Sequence, residues 1–346
     1  MSKTRVAIIC GGRSSEHQIS CISARGVLNA IDRDQFEPKL IGISQTGEWF
    51  ELDSADDFQI GADGLPFVAK SKKLINPADL DVDLVFPLLH GAYGEDGTIQ
   101  GLFEMLDIAY VGSGVLASAV AMDKSFAKPV FADFGLNVAD GITVHMRDWK
   151  ANQAFEIAKI SDLGFPLFVK PARSGSSRGT TKVKNASEIA AAIEAAHQHD
   201  PRAMVEVAID GREVECAVLE IDGKAHASVI GEIRVHEPHE FYDFEAKYLD
   251  GSTTFDVPAN IPTEIATQIS KNAVTAFEAL GCEGLARVDF FLTKENQIII
   301  NELNTMPGFT SSSVFPMLWQ ASGKSYTEII TQLCHSALRR PRNVVR

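Results

Sequence analysis

Cysteine is scarce and badly placed for cross-linking. Five residues, Cys10, Cys21, Cys216, Cys282 and Cys334, are spread over 346. The number is odd, the spacings are wide and no Cys-x-x-Cys occurs, which fits reduced thiols in a cytoplasmic setting better than a disulfide framework or a zinc site. No apolar run approaches the roughly 18 residues of a membrane helix. The opening run Val6-Ala7-Ile8-Ile9-Cys10 is too short for a signal-peptide core. Positive charge is also in deficit: 32 Lys and Arg stand against 46 Asp and Glu, a formal net charge of −14. Such a field repels a phosphate backbone, so no nucleic-acid partner is expected, although a local basic pocket can still take a small anion. Two nucleotide signatures are missing. No Gly-x-Gly-x-x-Gly follows the first strand, and Gly323-Lys324-Ser325 has Leu318 where a P-loop needs glycine. There is no internal repeat.

What is present is ordinary globular material, 45% apolar and 23% charged, long enough for two or three packed units. The first third alternates strands (Arg5 to Cys10, Lys39 to Ile43, Val82 to Leu88) with helical patterns, one from Ile19 to Ile31 and one opening near Asp96. That rhythm predicts an open parallel α/β sheet over 1–113, with its site at the carboxyl ends of the strands. A second unit, 114–210, holds a helix from Asp123, a strand from Leu167 to Lys170, a Gly/Ser loop from Ala172 to Gly179, an Ala-rich helix and a strand from Met204 to Ile209. A third, 211–346, opens on a hairpin turned by Asp222-Gly223. Residues 236–258 show no period, which suits a functional lid. A helix over Pro262 to Leu280 has Gly281 just past its end.

The chemistry concentrates in a few places. If Glu295-Asn296 is a two-residue turn between Ala286–Leu292 and Gln297–Leu303, Asp289 lies opposite Glu302 and Arg287 opposite Asn304. Alternation puts all four on one face. Opposed carboxylates repel unless a cation lies between them, and two carboxylates with an amide suit magnesium; a charged face balanced by Arg287 is the other reading. Lys170 ends an apolar strand before Gly175, Ser176, Ser177 and Gly179. Glycines let backbone N–H groups approach phosphate oxygens, although alone the stretch serves equally as a flexible hairpin tip. Asp96 suits a helix cap. Glu16, after Gly11-Gly12, suits a first helical turn.

Together these segments resemble the D-alanine–D-alanine ligases of the ATP-grasp superfamily, from about Val6 to about Leu338. The carriers are Gly11-Gly12-x-Ser14-x-Glu16, His90-Gly-x-x-Gly-Glu-Asp-Gly-Thr98, Met122-Asp123-Lys124, Val169-Lys170-Pro171 with Gly175-Ser176-Ser177, Tyr242-Asp-Phe-Glu-Ala-Lys-Tyr248, Arg287-x-Asp289, and Glu302-x-Asn304-x-x-Pro307-Gly308-x-Thr310. The resemblance implies an ATP-grasp fold of two subdomains behind the first sheet. It also implies ligation of two D-alanines through a D-alanyl phosphate for peptidoglycan precursors, in a cytoplasmic homodimer. By similarity, Lys124 and Lys170 bind ATP phosphates, as do Ser176 and Lys247. Glu206 with the backbone near Val207 and Ile209 takes the adenine, and Glu213 the ribose. Asp289, Glu302 and Asn304 hold two magnesium ions, with manganese as a substitute. Arg287, helped by the Gly308 N–H, stabilises the oxyanion. Glu16 holds the first substrate's ammonium and is linked through Ser176 to Tyr248 on the lid. His90, Ser313 and Lys247 complete the substrate contacts.

Two positions depart from the pattern. Arg178 stands where relatives carry a small apolar residue and is expected to face solvent. Pro129 falls inside the helix after Asp123, which implies a start near Phe126 or a kink. A D-alanine–D-lactate ligase is the nearest rival and lacks the intact Tyr242 to Tyr248 lid. Another ATP-grasp carboxylate–amine ligase conflicts with the joint presence of Glu16, Ser176 and Tyr248. A non-catalytic nucleotide binder conflicts with the retention of Arg287 and the metal ligands.

Overall fold

A computed structural model of the chain describes residues 2–70, 73–175, 179–235 and 253–341. Strand β1 (Thr4–Gly11) is buried from Val6 onward, as a central parallel strand must be. Helix α1 (His17–Ala30) follows, then β2 (Phe36–Ile43), β3 (Trp49–Leu52), a small hairpin of β4 (Gln59–Ile60) and β5 (Pro66–Phe67), β6 (Leu84–Pro87), α2 (Thr98–Met105) and β7 (Ala109–Tyr110). They build a sheet of order β3-β2-β1-β6-β7. The inner pairs are parallel and the β3 edge is antiparallel. Glu16 caps α1 without a side-chain bond, one position before the first turn expected for it. Gly97 caps α2 at φ 89, and Asp96 just before it accepts the Thr98 N–H at 3.0 Å.

Helices α3 (Val115–Met122) and α4 (Lys124–Asp133) lead into the second sheet. Helix α4 opens at Lys124 itself, capped by the Asp123 carboxylate on the Ser125 N–H at 3.1 Å. The late start expected from Pro129 is therefore corrected: the cap at Asp123 sets the start and the proline is carried inside the helix. The sheet is antiparallel, order β10-β9-β11-β8, made from β8 (Gly141–His145), β9 (Leu167–Pro171), β10 (Thr181–Val183) and β11 (Arg202–Val207). Short helices α5 (Met146–Ala151) and α6 (Gln153–Ser161) and the Ala-rich α7 (Ile189–His197) accompany it.

The third sheet is antiparallel too, order β14-β13-β12-β15-β16. Its strands are β12 (Gly211–Ile221), β13 (Lys224–Val235), β14 (Thr253–Asp256), β15 (Leu285–Thr293) and β16 (Ile298–Asn304). Asp222 and Gly223 turn β12 into β13 with φ of 50 and 74, the left-handed pair that a tight hairpin requires. Most of the expected 236–258 lid lies outside the described residues. Its end is a correction, because Thr253–Asp256 pairs with β13 as a strand.

Helix α8 (Thr263–Ala279) packs on this sheet, with Pro262 at its cap and Gly281 at φ 65 beyond its end. Helix α9 (Val314–Ala321) packs on β12 and β13, and α10 (Tyr326–Arg339) bridges β12 to α1, β6 and β7 of the first unit. A Ser325–Glu328 capping box starts α10, and its buried stripe is Ile329, Ile330, Leu333, Cys334 and Ala337. One core joins Val6, Ile8 and Phe86 to Phe309, Phe315, Leu318 and Leu333, residues more than 200 positions apart. Among the described residues no helix is long and apolar enough to cross a membrane.

Candidate active site

The β15–β16 hairpin places its polar residues by an unexpected route. The two-residue turn expected at Glu295-Asn296 is a three-residue loop. Thr293 and Gln297 close it at 3.0 Å, and Asn296 takes φ 60. Near the loop Leu292 pairs Ile298 and Phe290 pairs Ile300, one residue out of the expected register. A bulge at Asn301 then absorbs that residue, so Asp289 still lies opposite Glu302 and Arg287 opposite Asn304. The bulge also points Asn301 to the Lys170 ammonium at 3.4 Å.

Arg287 grips Asp289 with two N–H groups at 2.7 Å and lies 3.2 Å from Glu215. Asn304 donates to Asp289 at 3.0 Å. Glu302 accepts from Lys124 at 2.9 Å, and Lys124 also donates to the Ser174 carbonyl at 3.0 Å. Burial works against the Lys124 charge, but Glu302 outweighs it and the pKa is raised. Helical spacing puts Lys128 one turn beyond Lys124 on the buried face of α4. Lys128 and Lys170 both ion-pair with Glu206, one to each oxygen. Burial would raise the Glu206 pKa, yet the two lysines hold it at about 2.

Lys124, Lys128, Lys170, Glu206, Asp289, Asn301 and Glu302 line a cavity of about 500 Å³ between the second and third sheets. Phe168, Phe291, Ile300 and Ile233 form apolar walls, and Val207, Ile209 and Glu213 line the strand-to-strand connection. A second cavity, of about 310 Å³, adjoins it. Lys124, Ser174 and Glu302 line both.

The second cavity gathers Glu16, His90, Glu95, Arg287, Asn304, Gly308 and Ser313. Glu16 is only 8% exposed, and its carboxylate fits between two glycines. A Cβ on Gly91, which sits at φ +74, would come within 2.4 Å of Glu16 Oε2, and one on Gly175 within 3.4 Å. Both ring nitrogens of His90 are engaged, Nε2 with Ser23 Oγ and Nδ1 with the Met306 carbonyl, each at 3.0 Å. Burial lowers its pKa, so the ring is neutral. Glu95 accepts the Gly91 N–H at 2.9 Å. Burial first, then the nearby Glu16 charge, pushes its carboxyl up to about 8. Ser313 Oγ accepts the Thr310 N–H at 3.0 Å beside Gly308.

Thus Glu16, His90, Gly308 and Ser313 come together in the second cavity, while Lys170, Glu206, Val207, Ile209 and Glu213 come together in the first. Asp289 lines the first cavity, Arg287 and Asn304 the second, and Lys124 and Glu302 the seam between them. Ser176, Arg178, Lys247 and Tyr248 lie outside the described residues. Lys128 and Asn301 went unremarked in the sequence, and Glu95 stood in the His90 to Thr98 motif without a role. Lys128 had a signal of its own, its four-residue spacing from Lys124.

The donor set is all oxygen, two carboxylates and an amide, which fits magnesium or manganese rather than a thiophilic metal. Among the described residues no three His, Cys, Asp or Glu gather as a complete metal cage. Magnesium takes one or two carboxylates and completes its shell with substrate phosphates, so a pair such as Asp289 and Glu302 is enough to anchor it.

Two family models match the chain, the D-ala D-ala ligase N-terminus over residues 5–113 and the D-ala D-ala ligase C-terminus over residues 130–335. A D-alanine--D-alanine ligase of an Arthrobacter species is 47% identical, covering 98% of this chain and 95% of the relative. That of Streptomyces coelicolor is 46% identical, with 97% and 94% covered. Among solved structures, the VanG D-Ala:D-Ser ligase of Enterococcus faecalis superposes with a TM-score of 0.83 at 37% identity, covering 97% of this chain and 100% of that one. The D-alanine-D-alanine ligase of Coxiella burnetii gives 0.82 at 33%, with 98% and 94% covered. With both halves matched in order and the relatives aligned nearly end to end, the chain belongs to the D-ala D-ala ligase family.

Proposed function

We propose that the protein is an ATP-dependent ligase that joins two D-alanines into D-alanyl-D-alanine for peptidoglycan precursors, acting in the cytoplasm as a homodimer. The observation that carries the reading is the shared wall. A nucleotide in the first cavity meets a small amino acid in the second at Lys124, Ser174 and Glu302, where a phosphoryl group would cross.

Phosphoryl transfer needs positioning and charge neutralisation more than covalent help. Lys124 and Lys170 supply fixed positive charge inside a chain of net charge −14. Glu206 and the backbone at Val207 and Ile209 receive the adenine, and Glu213 the ribose. Asp289, Glu302 and Asn304 would hold magnesium, which when bound neutralises phosphate charge. Glu16, beneath the glycines, takes the ammonium of the first D-alanine and turns its carboxylate toward the seam. There the γ-phosphoryl group passes to that carboxylate, giving D-alanyl phosphate and ADP. The amine of the second D-alanine attacks the acyl carbon, and Arg287 with the Gly308 N–H stabilises the oxyanion. Phosphate then leaves with its bonding electron pair and the amine sheds a proton. Ser313 and His90 help shape the second subsite. Ser176, Lys247 and Tyr248 are read as the lid-side contacts that exclude water from the acyl phosphate.

One observation favours a second reading. A solved relative at 37% identity is named for D-Ala:D-Ser ligation, so D-serine is a rival for the second subsite. The curated relatives at 46–47% are named for D-alanine. Hydroxylamine added with ATP, magnesium and D-alanine should yield D-alanyl hydroxamate, and its absence would remove the acyl phosphate from the scheme. Mass analysis of products from D-alanine mixed with D-serine or D-lactate should show D-alanyl-D-alanine as the main product; a dominant mixed product would transfer the assignment to the rival.

A further inference from the structure

Four lysines, Lys124, Lys128, Lys170 and Lys182, line the larger cavity, and they are not equivalent. Lys182 stands over the Phe168 ring at 6.0 Å. Lys124 belongs to the seam with Glu302 and Ser174. Lys128 and Lys170 share Glu206, whose side chain is 4% exposed. Lys170 has a second partner in Asn301 and a side chain 14% exposed. Lys128 is 5% exposed and fixed in the middle of α4. Of the two, Lys170 can turn toward an incoming phosphate and Lys128 stays behind Glu206.

A buried carboxylate that loses its counter-charge is strongly destabilising. When Lys170 leaves Glu206 for a phosphate, one ammonium must remain on the glutamate. Otherwise Glu206 takes up a proton or swings away, and its acceptor oxygen is lost to the base. An ionised Glu206 accepts a hydrogen bond from an exocyclic amino group and repels a carbonyl in the same place.

Resting on the reading that Glu206 receives adenine, we propose that Lys128 is a positioning residue for base recognition: it stays paired with Glu206 when Lys170 turns to the nucleotide phosphates, and so keeps the glutamate ionised and aimed at the 6-amino group. Lys128 itself touches no phosphate. Its effect is read in the choice between a 6-amino and a 6-oxo purine.

The test is equilibrium binding of ATP and of ITP with magnesium and without D-alanine, so it does not depend on ligase activity. Lys128→Met should weaken ATP binding by roughly 30-fold or more. ITP binding should change by no more than about 3-fold, so the preference for ATP collapses. Lys128→Arg, which keeps the charge, should keep most of the preference. In a Glu206→Gln background, Lys128→Met should cost less than about 3-fold further, because the carboxylate it serves is gone. That double variant removes both members of the Lys128–Glu206 pair, leaves Lys170 on Asn301, and keeps the test open where Lys128→Met alone does not fold. In turnover, the single variant should raise KM for ATP more than it lowers kcat. Equal losses for ATP and ITP, or a full further loss in the Glu206→Gln background, would place Lys128 on phosphate and overturn the proposal. Unchanged ATP binding by Lys128→Met would overturn it as well.

Discussion

Arg287 spends two N–H groups on Asp289 and lies against Glu215, so its guanidinium is held rigidly at the edge of the smaller cavity. A donor fixed before charge develops costs no reorganisation when the oxyanion forms. Arg287→Ala should therefore lower turnover about 100-fold or more with little change in KM for ATP; steady-state kinetics checks both numbers. Glu95 gives a pH prediction. Its folded carboxyl titrates near 8 against an ordinary 4.5. The unfolded chain ionises first as pH rises, so Glu95 costs stability progressively between those values and the cost is complete above the upper one. Glu95→Gln should raise Tm relative to the parent by an amount that grows across that window and is negligible below it. A Tm difference independent of pH would contradict the assignment. At this scale the sequence was informative where a residue type and its spacing were enough. Glu16, Lys124 and Arg287 come to the cavities as the motifs implied. Lys128 could have been found from its spacing alone. Asn301 could not, because it depends on a bulge, and Glu95 stood in a quoted motif while its place beside Glu16 depends on a fold-back of its own loop onto Gly91.

The β15–β16 hairpin shows how an element can keep its chemistry while breaking its expected geometry. Neither Glu295 nor Asn296 is glycine, and a type I′ turn needs positive φ at both centres. The chain instead uses one left-handed residue, Asn296, in a three-residue loop. The surplus residue is absorbed at Asn301, where the ladder slips by one. The opposition of Asp289 and Glu302 was legible because the face alternation on both sides of the bulge follows the sequence. The compensation was not, because two shifts that cancel leave no mark on periodicity. In α4, Asp123 is doubly committed, capping Ser125 and ion-pairing with Arg202. That anchor explains why the helix starts at Lys124 despite Pro129. Proline in a helix interior removes a backbone hydrogen bond, and Pro129 is exposed. Pro129→Ala should stabilise the protein by about 1–2 kcal/mol, the regained bond outweighing the extra freedom of the unfolded chain. The denaturant midpoint measures it, and a fall in midpoint would show that the ring itself supports packing.

At the scale of the molecule, the first sheet's alternation of strands and helices was legible, and so were β9 to β13, β15 and β16, because hydrophobic period and turn residues mark them; β8 and β14 were not. Helices α9 and α10 were not foreseen, since α9 packs on β12 and β13 and α10 bridges β12 to the first sheet, surfaces far away in sequence. Their contact means that residues 1–113, read as one unit, share a core with Phe309, Phe315 and Leu333. A fragment of 1–113 alone should fail to unfold cooperatively, and a sharp calorimetric transition in that fragment would contradict the shared core. The same return of the chain brings Gly308 and Ser313 beside Glu16 and His90, so the smaller cavity exists only in the assembled molecule. The two cavities meeting at Lys124, Ser174 and Glu302 are the centre of the account. The most direct measurement is phosphate release with ATP and magnesium, with D-alanine as substrate and L-alanine, D-serine and D-lactate as comparisons. Release should depend on D-alanine and be abolished when magnesium is chelated; release indifferent to D-alanine, or none at all, would contradict ligation at this seam.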